Sequence, residues 1–129
     1  MKTEQLEMKY TKIFTDEEGE THFKDVEIKL ESVDFAPPAP PINLSTFNPA
    51  TQYAFSVFPS GWYGDWHPTP RKQIFFLLSG ESEAQVSDGE VRRFSAGSIL
   101  LAEDTSGKGH VSRVVGSKDM VVAVVQLPD

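Results

Sequence analysis

The chain contains no cysteine, which excludes disulfides, thiolate metal ligands and cysteine nucleophiles. Positive charge is also scarce: 12 lysines and arginines stand against 19 aspartates and glutamates, a formal net charge of −7. Nucleic acid and anionic membrane surfaces, both rich in phosphate, are therefore disfavoured as main partners. Long apolar runs are missing too. No stretch approaches the roughly 20 apolar residues that span a bilayer, and the opening segment MKTEQLEMKY lacks the apolar core of a secretion signal. A soluble, cytoplasmic protein is expected. Helical periodicity is not evident beyond the first few residues, and no internal repeat or low-complexity tract is visible. There is no GxxxxGK(S/T) phosphate loop and no Ser–His–Asp spacing.

What is present is a succession of short strand patterns. Val26, Ile28 and Leu30 alternate with Glu27, Lys29 and Glu31, the period-2 pattern of a half-buried strand. A shorter run from Lys9 to Phe14 precedes it across the charged turn DEEGE, so the two predict a hairpin. Strand candidates then recur at Tyr53–Phe58, Arg71–Leu78, Ser82–Ser87, Val91–Phe94, Ser98–Ala102, His110–Val115 and Met120–Leu127. Turn chemistry separates them: Asp88-Gly89, Ala96-Gly97, Ser106-Gly107 and the segment from Gly116 to Asp119. The pattern predicts an all-β sandwich or barrel. A chain of 129 residues can bury roughly two-thirds of its unfolded surface, so one domain with its own core is expected. Its parts would be N-terminal strands over 1–34, a Pro-rich arm over 35–49 and a barrel core over 50–129. The arm, FAPPAPPINLSTFNP, is expected to cross the surface, because its prolines supply no amide donors to a helix or inner strand.

The chemistry concentrates between Gly61 and Gly80, GWYGDWHPTPRKQIFFLLSG. If this stretch is a strand, His67, Thr69, Arg71 and Gln73 share one face, which Phe75 and Leu77 continue. Polar groups passing into large apolar ones suggest the mouth and floor of a pocket; the plain alternative is that His67 and Gln73 are half-exposed strand residues. Arg71 could grip a substrate carboxylate or be a solvated rim charge. Trp62, Tyr63 and Trp66 crowd the entry, with Tyr53 and Phe55 on the preceding strand candidate; aromatic walls of this kind suit a small-molecule pocket. Tyr53 is the better pocket candidate for its phenol, and Trp66, of opposite parity to His67, is expected in the core. Further on, Glu103 and Asp104 stand just ahead of His110. Asp104 could orient the His110 ring or cap a turn, and Glu103 reads as part of an acidic turn. His22 has no partner motif and is expected at the surface.

The stretch is similar to the first metal-site motif of the cupin superfamily: Gly, five residues, His, one residue, His, three residues, Glu, six residues, Gly. Gly61, His67 and Gly80 stand in register, while Thr69 replaces the second His and Gln73 the Glu. Gly107 and His110 fit the end of the second cupin motif, in a loop two residues longer, with Thr105 at the Pro position and Val114 at the Asn position. Sixteen residues separate Gly80 from Gly97, close to the family's minimal spacing.

The resemblance implies a small antiparallel jelly-roll β-barrel, and commonly a dimer, with Val26–Leu30 free to extend a neighbour's sheet. Carried over by position, it leaves His67, Gln73 and His110 as ligands for a divalent first-row metal (Mn, Fe, Ni or Zn), or a site without metal. Two imidazoles and an amide bring no negative charge, so such an ion would bind more weakly than with a carboxylate. The function it implies is small-molecule chemistry: a lyase, isomerase or cyclase acting by acid–base or metal-assisted steps on a carboxylated or carbonyl-bearing metabolite. His67, His110 and Tyr53 would be catalytic, with Arg71, Tyr53, Trp62, Phe75 and Asp104 contacting substrate. Oxygenase chemistry is a lesser branch, since the usual carboxylate ligand is absent unless Asp104 or Glu103 supplies it. The alternative is a non-catalytic cupin that binds a small ligand.

Overall fold

The computed structural model describes Met8–Asp129, and among these residues every regular element is a strand. In chain order they are β1 (Met8–Thr15), β2 (Thr21–Ile28), β3 (Glu31–Val33), β4 (Ile42–Leu44), β5 (Gln52–Phe58) and β6 (Tyr63–His67). There follow β7 (Gln73–Ser79), β8 (Glu81–Val86), β9 (Val91–Ser95), β10 (Ile99–Ala102), β11 (His110–Val115) and β12 (Met120–Gln126). Among the described residues, no helix is long and apolar enough to cross a membrane.

The expected hairpin is β1–β2, paired from Met8 opposite Ile28 to Thr15 opposite Thr21. Its turn is closed by the Asp16 carboxylate, which accepts from the amides of Glu18 at 2.9 Å and Glu20 at 3.0 Å. This side chain mimics a backbone turn, as aspartate does at such positions. The strand therefore starts at Thr21, earlier than its alternating half, and ends before Leu30.

Two sheets carry the body. One has six strands in the order β2-β1-β10-β7-β12-β5, the other four in the order β6-β11-β8-β9. Among the described residues they remain separate ladders, and no strand pairing closes them into one barrel. The pairing is antiparallel except that β1 runs parallel to β10, which departs from a purely antiparallel expectation. The Pro-rich segment also differs: it contains β4, which pairs with β3 as a separate two-stranded sheet.

The core lies between the facing sheets. Ile13, Phe23, Leu77, Met120 and Val122 enter it from the six-stranded sheet, and Ala84, Val86, Phe94 and Val114 from the four-stranded one. Alternation fixes which residues these are. Val122 stands opposite Leu77, and Ser82, Ala84 and Val86 line the inner side of β8. Their neighbours at odd register then face outward.

The stretch from His67 to Gln73 is not one strand. Pro68 and Pro70 deny the ladder two amide donors, and the chain crosses from the end of β6 on one sheet to the start of β7 on the other. The single-face argument for His67, Thr69, Arg71 and Gln73 therefore fails: His67 and Arg71 are exposed, while Thr69 and Gln73 are buried. Sequence periodicity alone also left β6 unmarked, because Gly64 and Asp65 interrupt its pattern.

Candidate active site

His67 ends β6 and His110 begins β11, and the two are direct cross-strand partners. Their ring centroids lie 5.0 Å apart at an interplanar angle of 50°. Each ring is held through Nδ1. His110 donates to Asp104 Oδ2 at 2.7 Å, and His67 donates to the Asp65 carbonyl at 2.5 Å. Both acceptors lack a proton to give, so each Nδ1 carries the hydrogen, and in the neutral rings both Nε2 atoms keep their lone pairs. Among the described residues neither Nε2 makes a hydrogen bond within the chain.

Asp104 is the anchor of this arrangement. It is 0% exposed, and its other oxygen accepts from Thr69 Oγ1 at 2.7 Å. The Thr69 amide also donates to the Asp104 carbonyl at 2.9 Å. So the threonine standing where the second motif histidine would be does not face a metal. It fastens the carboxylate that orients His110. A buried carboxylate needs such partners, because an unpaired one would carry a large desolvation penalty. Among the described residues no buried side-chain nitrogen or oxygen lacks a hydrogen-bond partner.

The loop between Asp104 and His110 is braced by the first hairpin. Thr15 Oγ1 donates to the Ser106 carbonyl at 2.9 Å, the Lys108 amide to the Gly19 carbonyl at 2.9 Å, and the buried Thr21 hydroxyl to the Gly109 carbonyl at 2.7 Å. Lys108 also pairs with Glu20. Gly109 is required where it stands. Its φ is +72°, and a Cβ there would lie 2.2 Å from the His67 carbonyl carbon. Only glycine lets the backbone leading to His110 pass this close to His67.

His22 belongs to the same hairpin, and sequence reading underestimated it. Nε2 lies 2.7 Å from Asp16 and Nδ1 2.8 Å from Asp88. With a carboxylate at each nitrogen, both must donate, so the ring is an imidazolium. The hydrogen bonds to Asp16 and then to Asp88 raise its pKa above the ordinary histidine value. The His22 hydrogen bond is the main cause of the lowered pKa of Asp16. For Asp88 the Glu90 backbone amide comes first, and His22 adds to it. The signal available in the sequence was a histidine six residues past a turn aspartate, too common a pattern to single out.

A cavity of about 70 Å³ opens between the sheets beneath His110. Trp62, Phe75, Leu100, Phe94 and Met120 wall it, with Ser112 and Arg113 beside the imidazole. Two of the expected contacts, Trp62 and Phe75, thus line it. Others do not. Tyr53 is 74% exposed and stands opposite Val125, on the outer side of the six-stranded sheet. Arg71 lies exposed in the crossover between sheets and does not line the cavity. Asp104 is wholly covered behind His110, so no substrate can touch it. Trp66 is exposed rather than core, because β6 is an edge strand with its outer side in solvent. Glu103 pairs with Lys72 at 3.0 Å and Lys12 at 3.6 Å.

The donor set for a metal is narrower than expected. Two imidazoles with Nδ1 tied and Nε2 available are in the state that ligating histidines adopt. Ring centroids near 5 Å suit two nitrogens about 2.1 Å from one tetrahedral ion. Gln73 faces inward from the opposite sheet, but its Oε1 accepts from Gln126 Nε2 at 3.2 Å and it bonds to neither ring. Among the described residues no group of three His, Cys, Asp or Glu side chains could hold a metal. The two imidazoles would fit an ion held between them, whereas Gln73 is engaged with Gln126.

No protein-family model matches this chain, and no curated protein does. Solved structures do match. A Cupin 2 conserved barrel domain protein from Salinispora arenicola is 21% identical, with 77% of this chain and 76% of that one covered at a TM-score of 0.49. KdgF from Halomonas sp. is 22% identical, with 77% and 87% covered at 0.48. The DMSP lyase DddQ from Ruegeria pomeroyi is 26% identical at 0.49, over 60% of this chain. The first of these is described as a cupin barrel domain. This chain spans only 38% of the DddQ chain that it matches.

Proposed function

We propose that this chain is a single-domain, cytoplasmic cupin of the jelly-roll type that acts as an acid–base enzyme on a small carboxylated or carbonyl-bearing metabolite. The observation that carries the proposal is the chain Thr69–Asp104–His110 set against His67. A fully buried carboxylate fixes one imidazole with its free nitrogen toward an apolar cavity. An imidazole with one nitrogen anchored and the other unprotonated can take up a proton from carbon next to a carbonyl. The second imidazole, a ring's width away, is placed to return a proton at another atom. Elimination, isomerisation and ring closure are all reactions of this kind.

The cavity limits the substrate. About 70 Å³ holds only a few non-hydrogen atoms, since one water occupies about 30 Å³ of liquid. A short apolar group would sit among Trp62, Phe75 and Met120, with the polar end of the molecule at the histidines. His67 and His110 would hold a divalent ion through Nε2, with Gln73 as third donor. Such an ion, when bound, would polarise a carbonyl or carboxylate oxygen of the substrate.

A thermal-shift screen with divalent metals and small carboxylic acids identifies ligands, and turnover assays follow on each hit. Replacing His67 and His110 by Ala, separately, should abolish turnover; unchanged rates in both variants would sink the assignment. The loss of the motif's charged ligand at Gln73 and of its second histidine at Thr69 favours a second reading, a ligand-binding cupin without catalysis. Saturable binding with no product on any hit would decide for it.

A further inference from the structure

The inner side of the four-stranded sheet carries two hydroxyl groups in a cavity wall that is otherwise mostly apolar. Ser112 follows His110 by two residues on β11, so alternation keeps both on one side of the strand. Ser82 stands on β8, where Ser82, Ala84 and Val86 form the buried side. The register sets Ser112 against Ala84 and Val114 against Ser82, which makes the two serines diagonal neighbours. Both line the cavity beneath His110.

Neither hydroxyl serves the fold. Among the described residues neither makes a side-chain hydrogen bond, whereas Ser45, Ser60, Ser87 and Ser98 all do. Ser82 is only 8% exposed, yet no buried side-chain oxygen among the described residues lacks a partner. The two facts agree if the Ser82 oxygen is open to the cavity. A hydroxyl set beside Phe94 and Val114 with no protein partner is less favourable there than a methyl group. Such a group persists in an apolar wall where function uses it.

Geometry limits what the pair can take. Diagonal residues on neighbouring antiparallel strands have Cβ atoms roughly 7 Å apart. Each hydroxyl reaches inward by one bond, and one ligand oxygen about 2.8 Å from both closes the gap. Both groups are neutral and can donate, which suits a hydroxyl or carbonyl oxygen. Arg113, which also lines the cavity, is paired with Glu83 at 2.7 Å, so no free cation balances a second carboxylate. Ser112 lies about 7 Å further along the wall than His110, two residues at roughly 3.4 Å each.

We propose that Ser82 and Ser112 form a polar subsite that receives a second, uncharged oxygen of the substrate. The inference rests on the reading of this cavity as the substrate site, and it narrows the substrate class. The molecule is a short acid with its carboxylate at the histidines and a hydroxyl or carbonyl at its other end. A plain fatty acid of the same length leaves both hydroxyls unpaired and binds more weakly.

Calorimetric titration with two matched pairs tests this: butyrate against 4-hydroxybutyrate, and valerate against 5-hydroxyvalerate. Wild type should bind at least one hydroxy acid about tenfold tighter than its counterpart, the worth of one good hydrogen bond. Replacing Ser82 and Ser112 together by Ala should remove that preference. Ser82→Ala alone should melt no lower than wild type, because its hydroxyl has no partner in the chain to lose. Wild type that binds both members of each pair equally, or none of the four acids, overturns the inference. So does a preference that survives in the folded double variant, or a Ser82→Ala that is clearly destabilised. The readout is binding, so a hydroxy-acid preference without turnover would end the acid–base reading and leave the subsite standing.

Discussion

At the scale of single residues, the informative feature is Asp104 rather than either histidine. Its two oxygens bind Thr69 and His110, and it has no contact with water, so it acts only through what it holds. Asp104→Ala strands the Thr69 hydroxyl and frees the His110 ring. The cost to stability should be about 1–3 kcal/mol, read by urea unfolding. Long-range proton–nitrogen NMR provides an independent readout. Wild-type His110 should be the Nδ1-protonated tautomer when neutral, and Asp104→Ala should shift it toward the Nε2-protonated form. An unchanged tautomer would show that Asp104 does not set the ring. The metal reading has a residue-scale test as well: calorimetric titration with Mn²⁺ or Zn²⁺ should show tighter binding in Gln73→Glu, which supplies the missing charge, and none in His110→Ala. Binding undiminished in His110→Ala would remove this histidine from the ligand set.

At the scale of elements, the first hairpin and the 104–110 loop behave as one unit. Gly109 is where they are least tolerant. Gly109→Ala imposes a left-handed conformation on alanine and drives a methyl against His67, so it should destabilise by more than about 1 kcal/mol. A stable Gly109→Ala with an unperturbed His67 resonance would contradict that. The His22 clasp makes a pH-dependent contribution. Its raised pKa means that the stabilisation is fully present below about pH 6.5 and is lost as pH rises through the folded-state value. Asp16 and Asp88 work in the opposite direction. Their pKa values are lowered, so their contribution is present above about pH 4 and lost as pH falls through the folded-state values. Unfolding followed across this range should show a decline on the alkaline side that His22→Gln abolishes. An identical alkaline profile in His22→Gln would mean that the clasp contributes nothing there.

At the scale of the molecule, the two sheets are held mainly by side chains. Among the described residues no ladder joins them, and only isolated backbone bonds, such as the Asp88 amide to the Thr21 carbonyl at 3.3 Å, pass between them. Ile13 is fully buried between them, and Ile13→Ala should cost about 2–5 kcal/mol with loss of cooperative unfolding. A cost under about 1 kcal/mol would mean that the core relaxes around the gap, contrary to the close packing expected there. The same architecture accounts for the cavity: Ser112 and Ala84 are small and leave room among the aromatics that line it with His110.

What the sequence determined by itself was local. Alternation and turn residues located the hairpin β1–β2 and strands β5 and β7 through β12, because a pleated strand with one buried side writes its period into the chain. The spacing of Gly61, His67 and Gly80, with His110 downstream, pointed to the cupins and to the pair of histidines. Tertiary structure decided the rest. Pro68 and Pro70 turn one apparent strand into a crossover between sheets, so parity could not carry from His67 to Arg71 and Gln73. Tyr53 was assigned to the pocket because its chemistry suited one, but the side of a sheet that faces the core is set by the partner sheet, and Tyr53 faces away from it. Thr69 and Asp104 lie 35 residues apart, and His22 and Asp88 66 apart. No local pattern encodes such meetings; they exist only once the strands have chosen their neighbours.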